Sequence, residues 1–227
     1  MDIAQYFPSI DHDLLREKLR RRIKDKSVLE LLDRIIDGSP VIDLASEYFP
    51  GDDLLTPISR RTGIPIGNLT SQFFANLYLD DFDHYLKENL RCKAYLHYVD
   101  DTAMLDDDKV RLRELRAVVR EHLAFDRLRL HPRKAQVSRV ADGLNLLGYV
   151  IYPRRRRLRS DNGHRFARHL RRMAYLYAGG RLDWTAIDAS VQSWIGHARH
   201  ADTRGLRRAI LSQIIFRRGT DREETCV

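Results

Sequence analysis

The stretch Tyr98-Val99-Asp100-Asp101 constrains this chain more than any other, because it places two acids between two β-rich runs. Residues 93–99 alternate as a strand does, and residues 102–105 form a second apolar run. The pattern predicts a β-hairpin with the acids at its tip. Neighbouring side chains of a regular strand point to opposite faces, so Asp100 and Asp101 can serve one site only at a turn.

Two adjacent carboxylates at a hairpin tip repel each other, and a divalent cation would relieve that repulsion. Mg²⁺ suits such a place, because it takes a few carboxylates and otherwise keeps water or substrate phosphate. The alternative is ordinary turn chemistry, since aspartate is common in turns where it bonds its own backbone. The choice between the two depends on the rest of the chain.

The length of 227 residues predicts one domain, or one domain with a small appendage. A hydrophobic content of 43% is enough for a core. The formal charge is +8, and arginine greatly outnumbers lysine. Arginine binds phosphate with two parallel hydrogen bonds, so this bias favours a nucleic-acid partner, with a solvated basic surface as the alternative.

Two cysteines, Cys92 and Cys226, give neither a disulfide framework nor a zinc site. We therefore expect a reducing, cytoplasmic location. No apolar run approaches membrane-spanning length, and the sequence opens without the pattern of a signal peptide.

Local signals predict the elements that surround the hairpin. Residues 2–10 read as the end of a strand and a turn. One helix is predicted to start at Asp11 or His12, and a second at a capping box headed by Ser27. A third helix is predicted to follow the glycine-rich loop at 63–72 and to run through Leu86, with Asp80, Asp81 and Asp83 on its exposed side. After the hairpin come a helix from Asp106-Asp107-Asp108 to about Phe125, short strands at 128–130 and 135–138, and a strand signal at 145–152 that is either one strand or two turning at Gly148.

Composition changes at Pro153, where we place a boundary. Helical patterns follow near 163–177, 184–198 and 205–215, with Trp184 and Trp194 predicted as core residues, and 217–227 form a polar tail. Between 154 and 172, nine arginines stand against the single acid Asp161: Arg154, Arg155, Arg156, Arg157, Arg159, Arg165, Arg168, Arg171 and Arg172.

Three patterns occur in a fixed order: Asp2 with Phe7 five positions on, the loop from Gly63 to Gln72, and the Tyr-Val-Asp-Asp hairpin. This order resembles the palm of a reverse transcriptase from its first catalytic motif onward. The resemblance implies an α+β fold, a right-hand polymerase palm of antiparallel sheet and packed helices over 1–152, followed by a small helical thumb over 153–216. It implies an RNA-directed DNA polymerase that copies an RNA template into cDNA.

The resemblance also implies the roles of individual residues. Asp2 and Asp100 would bridge two Mg²⁺ ions, and Asp101 would complete the acidic site. Ile3 would offer its backbone carbonyl as a further ligand. Mn²⁺ is a possible substitute for Mg²⁺. Lys134 would protonate the leaving pyrophosphate, with a surface lysine as the alternative.

Contacts to substrates follow from the same resemblance. Phe7 would exclude a ribose 2′-OH, with a core aromatic as the alternative, while Ile66, Gly67 and Gln72 would lie near the incoming deoxynucleoside triphosphate. The RNA template and a DNA or RNA primer would contact Gly148, Tyr149, Arg154, Arg155, Arg156 and Arg157, although a buried strand and a solvated helix face explain those residues too. A small basic accessory protein is a further partner that the family implies.

Two departures from the family pattern are informative. Most relatives carry glutamine at position 66 and proline at 72, whereas Ile66 and Gln72 resemble the reverse transcriptases of diversity-generating retroelements, which make errors at template adenines. The family also has a fingers region before its first motif, and here only Met1 precedes Asp2. We therefore expect an N-terminally truncated chain that polymerises poorly by itself, so robust extension of oligo-dT on poly-rA would contradict the expectation.

Two other function classes compete with the polymerase. A catalytically silent nucleic-acid-binding remnant would use the same basic surfaces, and metal-dependent polymerisation separates the two. A two-metal nuclease is disfavoured, because no histidine or glutamate accompanies the acids in a nuclease-like spacing and the glycine loop would be unexplained.

Overall fold

A computed structural model of the chain describes residues 1–39 and 47–218. The chain forms two compact units, Met1–Val137 and Ser138–Val227. The strand signal at 145–152, which sequence analysis grouped with the first domain, lies in the second unit. The division into a palm over 1–152 and a thumb over 153–216 stays a prediction, and the predicted polar tail lies outside the described residues from 219 onward.

Helices make up most of the first unit. They are α1 (Tyr6–Ser9), α2 (His12–Arg22), α3 (Lys26–Asp37), α4 (Thr56–Ser59), α5 (Leu69–Tyr78), α6 (Asp80–His84), which continues as a π-helical turn (Tyr85–Asn89), and α7 (Lys109–Phe125). The predicted start of α2 is confirmed, because the Asp11 side chain accepts hydrogen bonds from the amides of Asp13 and Leu14. The predicted end of α7 at Phe125 is also confirmed.

One predicted cap is wrong. Helix α3 begins after Asp25, whose side chain accepts from the Val28 amide at 3.0 Å, and not at a capping box headed by Ser27. Both residues are good helix caps, and Asp25 precedes Ser27 along the chain, so the helix starts at the earlier one. Ser27 consequently lies inside the first turn.

The predicted hairpin is present. Strands β1 (Ala94–Tyr98) and β2 (Asp101–Leu105) pair antiparallel, with Tyr98 opposite Asp101. Val99 and Asp100 are therefore the two residues of the turn. This register puts Asp100 in the turn and Asp101 at the first position of β2.

Only part of the remaining strand prediction holds in the first unit. Ile3 forms an isolated bridge with Leu130, and the predicted turn near Pro8 is the one-turn helix α1. The predicted strand at 135–138 is wrong, since these residues have no regular structure. Ladder pairing requires a neighbouring backbone, which alternation in the sequence alone cannot supply.

The core of the first unit forms where α2, α5, the α6 segment and α7 meet. Its fully buried side chains include Leu15, Leu19, Phe74, Tyr78, Phe82, Leu86 and Leu123. The Tyr78 hydroxyl donates to the Asp126 carbonyl at 2.8 Å, which satisfies the polar end of a buried ring. This core supports the hairpin and the N-terminal segment that carries Asp2.

The second unit contains a three-stranded antiparallel meander and three helices. They are β3 (Leu144–Leu146), β4 (Tyr149–Ile151), β5 (Arg156–Leu158), α8 (Ser160–Ala178), α9 (Trp184–Ala198) and α10 (Arg204–Ser212). The two-strand alternative with a turn at Gly148 is thus confirmed, as are the three helical patterns. Trp194 stacks on Phe166 in the core, whereas the prediction of Trp184 as a core residue is wrong, since 55% of it is exposed.

Taken together, the described residues form a mixed fold of helices and small antiparallel sheets, which agrees with the predicted α+β class. None of the described helices combines the length and the apolar character needed to cross a membrane.

Candidate active site

Asp2 lies directly beside the tip of the hairpin. It forms an antiparallel bridge with Asp101, and the Thr102 amide donates to the Met1 carbonyl at 3.0 Å. On its other side, the Asp2 carbonyl accepts from the His131 amide at 2.8 Å. Two acids that are far apart in the sequence are therefore held on adjacent backbones.

The turn at the hairpin tip has an unusual backbone. Val99 adopts a φ of 58°, in the left-handed region that glycine favours. For a β-branched residue such a conformation costs about 1–3 kcal/mol, and it persists only where surrounding contacts enforce it. The residue that directly precedes Asp100 is thus held in a strained shape.

Lys134 lies against the first of the predicted acids. Its ammonium group forms an ion pair with the Asp2 carboxylate, and 58% of the lysine side chain is exposed. The structure therefore brings together three of the four predicted catalytic residues: Asp2 pairs with Asp101 through the backbone and with Lys134 through its side chain. Asp100 occupies the turn beside them.

The fit of these residues to a divalent ion can be tested on the same geometry. Among residues 1–39 and 47–218, no group of three or more His, Cys, Asp or Glu side chains lies close enough to hold a metal. The donors nevertheless fit Mg²⁺ in kind, because carboxylates are its preferred protein ligands and Asp2 neighbours Asp101. In this arrangement the ammonium of Lys134 balances the charge of Asp2.

A polar network beneath the hairpin tip was missed by the sequence analysis, which placed Asp83 on an exposed helix face. The Asp83 carboxylate instead accepts from the Tyr95 hydroxyl at 2.6 Å and pairs with His97 Nδ1 at 2.9 Å. His97 Nε2 lies 2.6 Å from the Val99 carbonyl. The network therefore runs from helix α6 through the hairpin to the strained residue before Asp100.

The partners of His97 determine its protonation state. A carboxylate and a backbone carbonyl can only accept, so both hydrogen bonds form together only when both ring nitrogens carry hydrogen. Burial lowers the pKa of His97, but the bonds to Asp83 and Val99 outweigh burial, and the pKa lies above its ordinary value in spite of the nearby Lys87 charge. Burial likewise acts to raise the pKa of Asp83, and the bonds from His97 and Tyr95 outweigh it and hold that pKa below its ordinary value.

These shifts predict a pH-dependent contribution to stability. The raised pKa of His97 means that its contribution is complete below the ordinary value of 6.5 and is lost as the pH rises through the folded-state pKa. The lowered pKa of Asp83 means that its contribution is present above 3.8 and is lost as the pH falls through its folded-state pKa. We expect His97→Gln to cost about 1.5–3 kcal/mol near pH 6, the value of a charge-assisted hydrogen bond, and less at pH 9.

Urea unfolding of both proteins between pH 5 and pH 9, followed by circular dichroism, measures this difference. His164→Gln is the matched control, since it makes the same replacement at a histidine whose side chain is exposed. A cost of His97→Gln that does not vary with pH would show that the ring acts through packing alone.

The glycine-rich loop lies beside Phe7. The Ile64 amide donates to the Phe7 carbonyl at 3.0 Å, and the Ile64 side chain is fully buried. Gly67 has a φ of 103°, a backbone conformation that glycine adopts much more readily than other residues. A Cβ at this position would contact nothing within 4 Å, so the backbone conformation, and not lack of space, explains the glycine. Ile66 is 78% exposed and Gln72 is also exposed, so both side chains are open to a partner outside the chain.

The predicted primer and template residues lie in the second unit. The Tyr149 hydroxyl donates to the His197 carbonyl at 2.8 Å, and Gly148 has a φ of 82° in the tight turn between β3 and β4. The four arginines from 154 to 157 are exposed. The Arg156 guanidinium lies over the Tyr149 ring, 5.5 Å from its centre, which is a cation–π contact between β5 and β4.

Comparisons with known proteins agree with this arrangement. Protein YkfC of Escherichia coli is 25% identical over 189 residues, which cover 69% of this chain and 47% of YkfC. The "Putative COX1/OXI3 intron 2 protein" of Saccharomyces cerevisiae is 30% identical over 87 residues, 38% of this chain and 9% of that protein. The chain thus spans about half the length of YkfC and a small part of the yeast protein. A family model described as reverse transcriptase (RNA-dependent DNA polymerase) matches residues 1–151, and the chain therefore belongs to the reverse transcriptase family.

Proposed function

We propose that this chain carries the active site of an RNA-directed DNA polymerase that adds deoxynucleotides by two-metal nucleotidyl transfer. The observation that carries the proposal is the backbone pairing of Asp2 with Asp101 at the tip of the Tyr-Val-Asp-Asp hairpin. The family match over residues 1–151 gives the reaction class. In this proposal residues 1–152 act as the palm and 153–216 as the thumb.

The acids of the site hold the metal in this proposal. The carboxylates of Asp2, Asp100 and Asp101 and the carbonyl of Ile3 would be the ligands. Two magnesium ions, when bound, stabilise charge on the attacking and leaving oxygens of an in-line displacement. Lys134, whose ion pair with Asp2 brings its ammonium group to the site, would donate a proton to the departing pyrophosphate.

The residues of the glycine loop recognise the incoming nucleotide. The Phe7 ring excludes a ribose 2′-OH, Gly67 allows the backbone to approach the base pair, and the exposed amide of Gln72 donates to it. In the second unit, Gly148, Tyr149 and the arginines from 154 to 157 contact the primer–template backbone. Exposed guanidinium groups support this role, since backbone phosphates are bound mainly by such charges.

Primer extension tests the proposal. The 227-residue chain is mixed with poly-rA, oligo-dT, labelled dTTP and Mg²⁺, and incorporation is measured over time. Incorporation above background, even at a low rate, that stops on addition of EDTA is the supporting result. The second candidate function, a silent nucleic-acid binder, is favoured by the ion pair of Asp2 with Lys134 and by the absence of a metal-holding group among the described residues. It predicts binding of the same primer–template with no incorporation.

We further propose that the enzyme is of the diversity-generating type and copies template adenines with errors. Ile66 is exposed in the loop and cannot supply the amide hydrogen bonds of a glutamine. We expect Ile66→Gln to lower misincorporation opposite adenine about fivefold, the equivalent of one hydrogen bond of about 1 kcal/mol.

Sequencing of the products made by the enzyme and its variants on one adenine-rich RNA measures the error spectrum. Leu69→Gln is the matched control, because Leu69 is 83% exposed and lies three residues further along the chain, at the start of α5. Equal error spectra for the wild-type enzyme and Ile66→Gln would rule out the role of Ile66 in fidelity. An equal decrease in misincorporation opposite adenine in Leu69→Gln and Ile66→Gln would show that the effect is not specific to position 66.

A further inference from the structure

The side chain of His97 reaches the backbone of the hairpin turn, where the mechanism proposed above gives it no role. Its Nε2 atom lies 2.6 Å from the carbonyl oxygen of Val99, the residue that directly precedes Asp100. We propose that His97 is a positioning residue, which holds the turn of the hairpin and thereby places the Asp100 carboxylate at the metal site. The proposal rests on the proposed function in taking Asp100 as a metal ligand.

The turn that carries Asp100 needs an outside contact to keep its shape. Val99 has a φ of 58°, and this conformation is costly for a β-branched side chain. Only Val99 and Asp100 connect the paired ends of β1 and β2, so a change in the backbone of Val99 redirects the side chain of Asp100. The carbonyl oxygen that accepts from His97 belongs to the strained residue itself, so the hydrogen bond acts at the point of strain.

The His97 ring is fixed from its opposite edge. Its Nδ1 atom pairs with one carboxylate oxygen of Asp83 at 2.9 Å, and the Tyr95 hydroxyl donates to the other oxygen at 2.6 Å. Both oxygens of Asp83 therefore have a partner. Asp83 follows Phe82 on α6, and the Phe82 ring is fully buried in the core of the first unit. Only 10% of the His97 side chain is exposed, so water competes little for its hydrogen bonds.

The strength of this link is of the right order for the task. When both ring nitrogens carry hydrogen, the ring is charged, and a hydrogen bond from a charged donor is comparable in strength with the strain of a residue at positive φ. The position of α6 in the core is thereby transmitted through Asp83 and His97 to Val99. A break at His97 releases the strain of Val99, and the turn can then relax away from the shape that presents Asp100.

The same level of the hairpin also holds the segment that carries Asp2. Thr102 lies opposite His97 in the β1–β2 register and is buried. Its amide donates to the Met1 carbonyl at 3.0 Å, directly before Asp2. The exchange rate of the Thr102 amide therefore reports whether the N-terminal segment stays on the hairpin when the turn is altered.

Replacement of His97 by glutamine tests the proposal, because the single amide group of glutamine cannot bridge Asp83 and Val99 as the ring does. We expect the Thr102 amide to exchange about fivefold faster in His97→Gln, since one net hydrogen bond is worth about that factor. Mn²⁺, followed by electron paramagnetic resonance, should bind about fivefold more weakly for the same reason. Circular dichroism verifies that the variant is folded, and unchanged exchange at Thr102 would overturn the proposal.

A second substitution separates positioning from packing. Glycine adopts a φ of 58° without strain, so the turn of a Val99→Gly variant needs no bond from His97 to keep its shape. In this background, His97→Gln should change exchange and Mn²⁺ affinity by no more than about twofold. An effect of the same size in both backgrounds would show that the ring supports the hairpin by packing alone, and would overturn the proposal.

His84→Gln is the matched control, because it makes the same replacement on α6 at a histidine that pairs with a carboxylate, that of Glu88 at 2.6 Å. Equal effects of His84→Gln and His97→Gln would show that any lost histidine–carboxylate pair loosens the unit, and would also overturn the proposal. Hydrogen exchange is measured without metal or nucleotide. If even the wild type binds no Mn²⁺, the two-metal function fails, while exchange in the two backgrounds still decides whether His97 holds the turn.

Discussion

Replacement of Asp100 by asparagine should lower primer extension at least about 100-fold. Mutation of a residue that only hydrogen-bonds a metal ligand typically lowers metal affinity or activity about 10–100-fold, and loss of a ligand itself should lower them more. The asparagine keeps the size of the side chain and one acceptor oxygen but removes the negative charge that would attract a divalent ion in the proposed site. Since Asp100 lies in a two-residue turn directly after the strained Val99, an isosteric change is the one least apt to alter the hairpin.

Metal affinity gives a second reading of the same variant that does not require turnover. Titration of Mn²⁺, followed by electron paramagnetic resonance, should show weaker binding to Asp100→Asn than to the wild type. Asp107→Asn is the control, because Asp107 is an exposed acid that follows the same hairpin and has no place in the proposed site. Extension and Mn²⁺ affinity that are both retained in Asp100→Asn would refute the two-metal mechanism.

Sequence patterns predicted the elements whose signal is local. The hairpin around Asp100, the cap of α2 at Asp11 and the turn at Gly148 each depend on a few consecutive residues, and the structure has all three. Where two local signals compete, the sequence does not rank them: a capping box predicts the start of α3 at Ser27, and the structure has its cap at Asp25. Alternation of apolar residues at 135–138 was equally ambiguous, because a strand also needs a partner.

The composition of the site depends on contacts that no local pattern encodes. The neighbourhood of Asp2 and Asp101 was expected only through family resemblance, because nothing in either segment specifies the other. Asp83 was assigned to a solvated face because it follows Asp80 and Asp81, yet it meets Tyr95 and His97 where α6 passes under the hairpin. One sequence signal for this network was His97, which strand alternation places on the same face as Tyr95.

Replacement of Asp11 by alanine should destabilise the first unit by about 3–5 kcal/mol, the typical cost of removing one partner from a buried ion pair. The side chain of Asp11 is 1% exposed and lies 2.6 Å from Arg127 and 3.4 Å from Arg60. Without it, the largely buried Arg60 loses one of its two carboxylate neighbours and keeps Asp52 at 2.5 Å and a hydrogen bond to the Glu47 carbonyl. The amides of the first turn of α2 lose their acceptor.

Urea unfolding followed by circular dichroism measures the loss, and two variants divide it between charge and capping. Asp11→Asn keeps a good helix cap and removes the charge, so the difference between Asp11→Asn and Asp11→Ala is the value of the cap, about 1 kcal/mol. Asp13→Ala is the control, because Asp13 is 82% exposed and its pair with Arg16 should be worth no more than about 1 kcal/mol.

The effect of Asp11 should extend to the glycine-rich loop. Asp11 forms a bridge with Thr62, the Gly63 amide donates to the Ile10 carbonyl at 2.9 Å, and His12 Nε2 lies 2.7 Å from the Gly63 carbonyl. The same turn that Asp11 stabilises thus anchors the start of the loop that ends at Gln72. Hydrogen exchange of the loop amides should therefore speed up more in Asp11→Ala than in Asp13→Ala. Equal exchange in the two variants would show that the loop is held by its own contacts and that the buried ion pairs serve helix α2 alone.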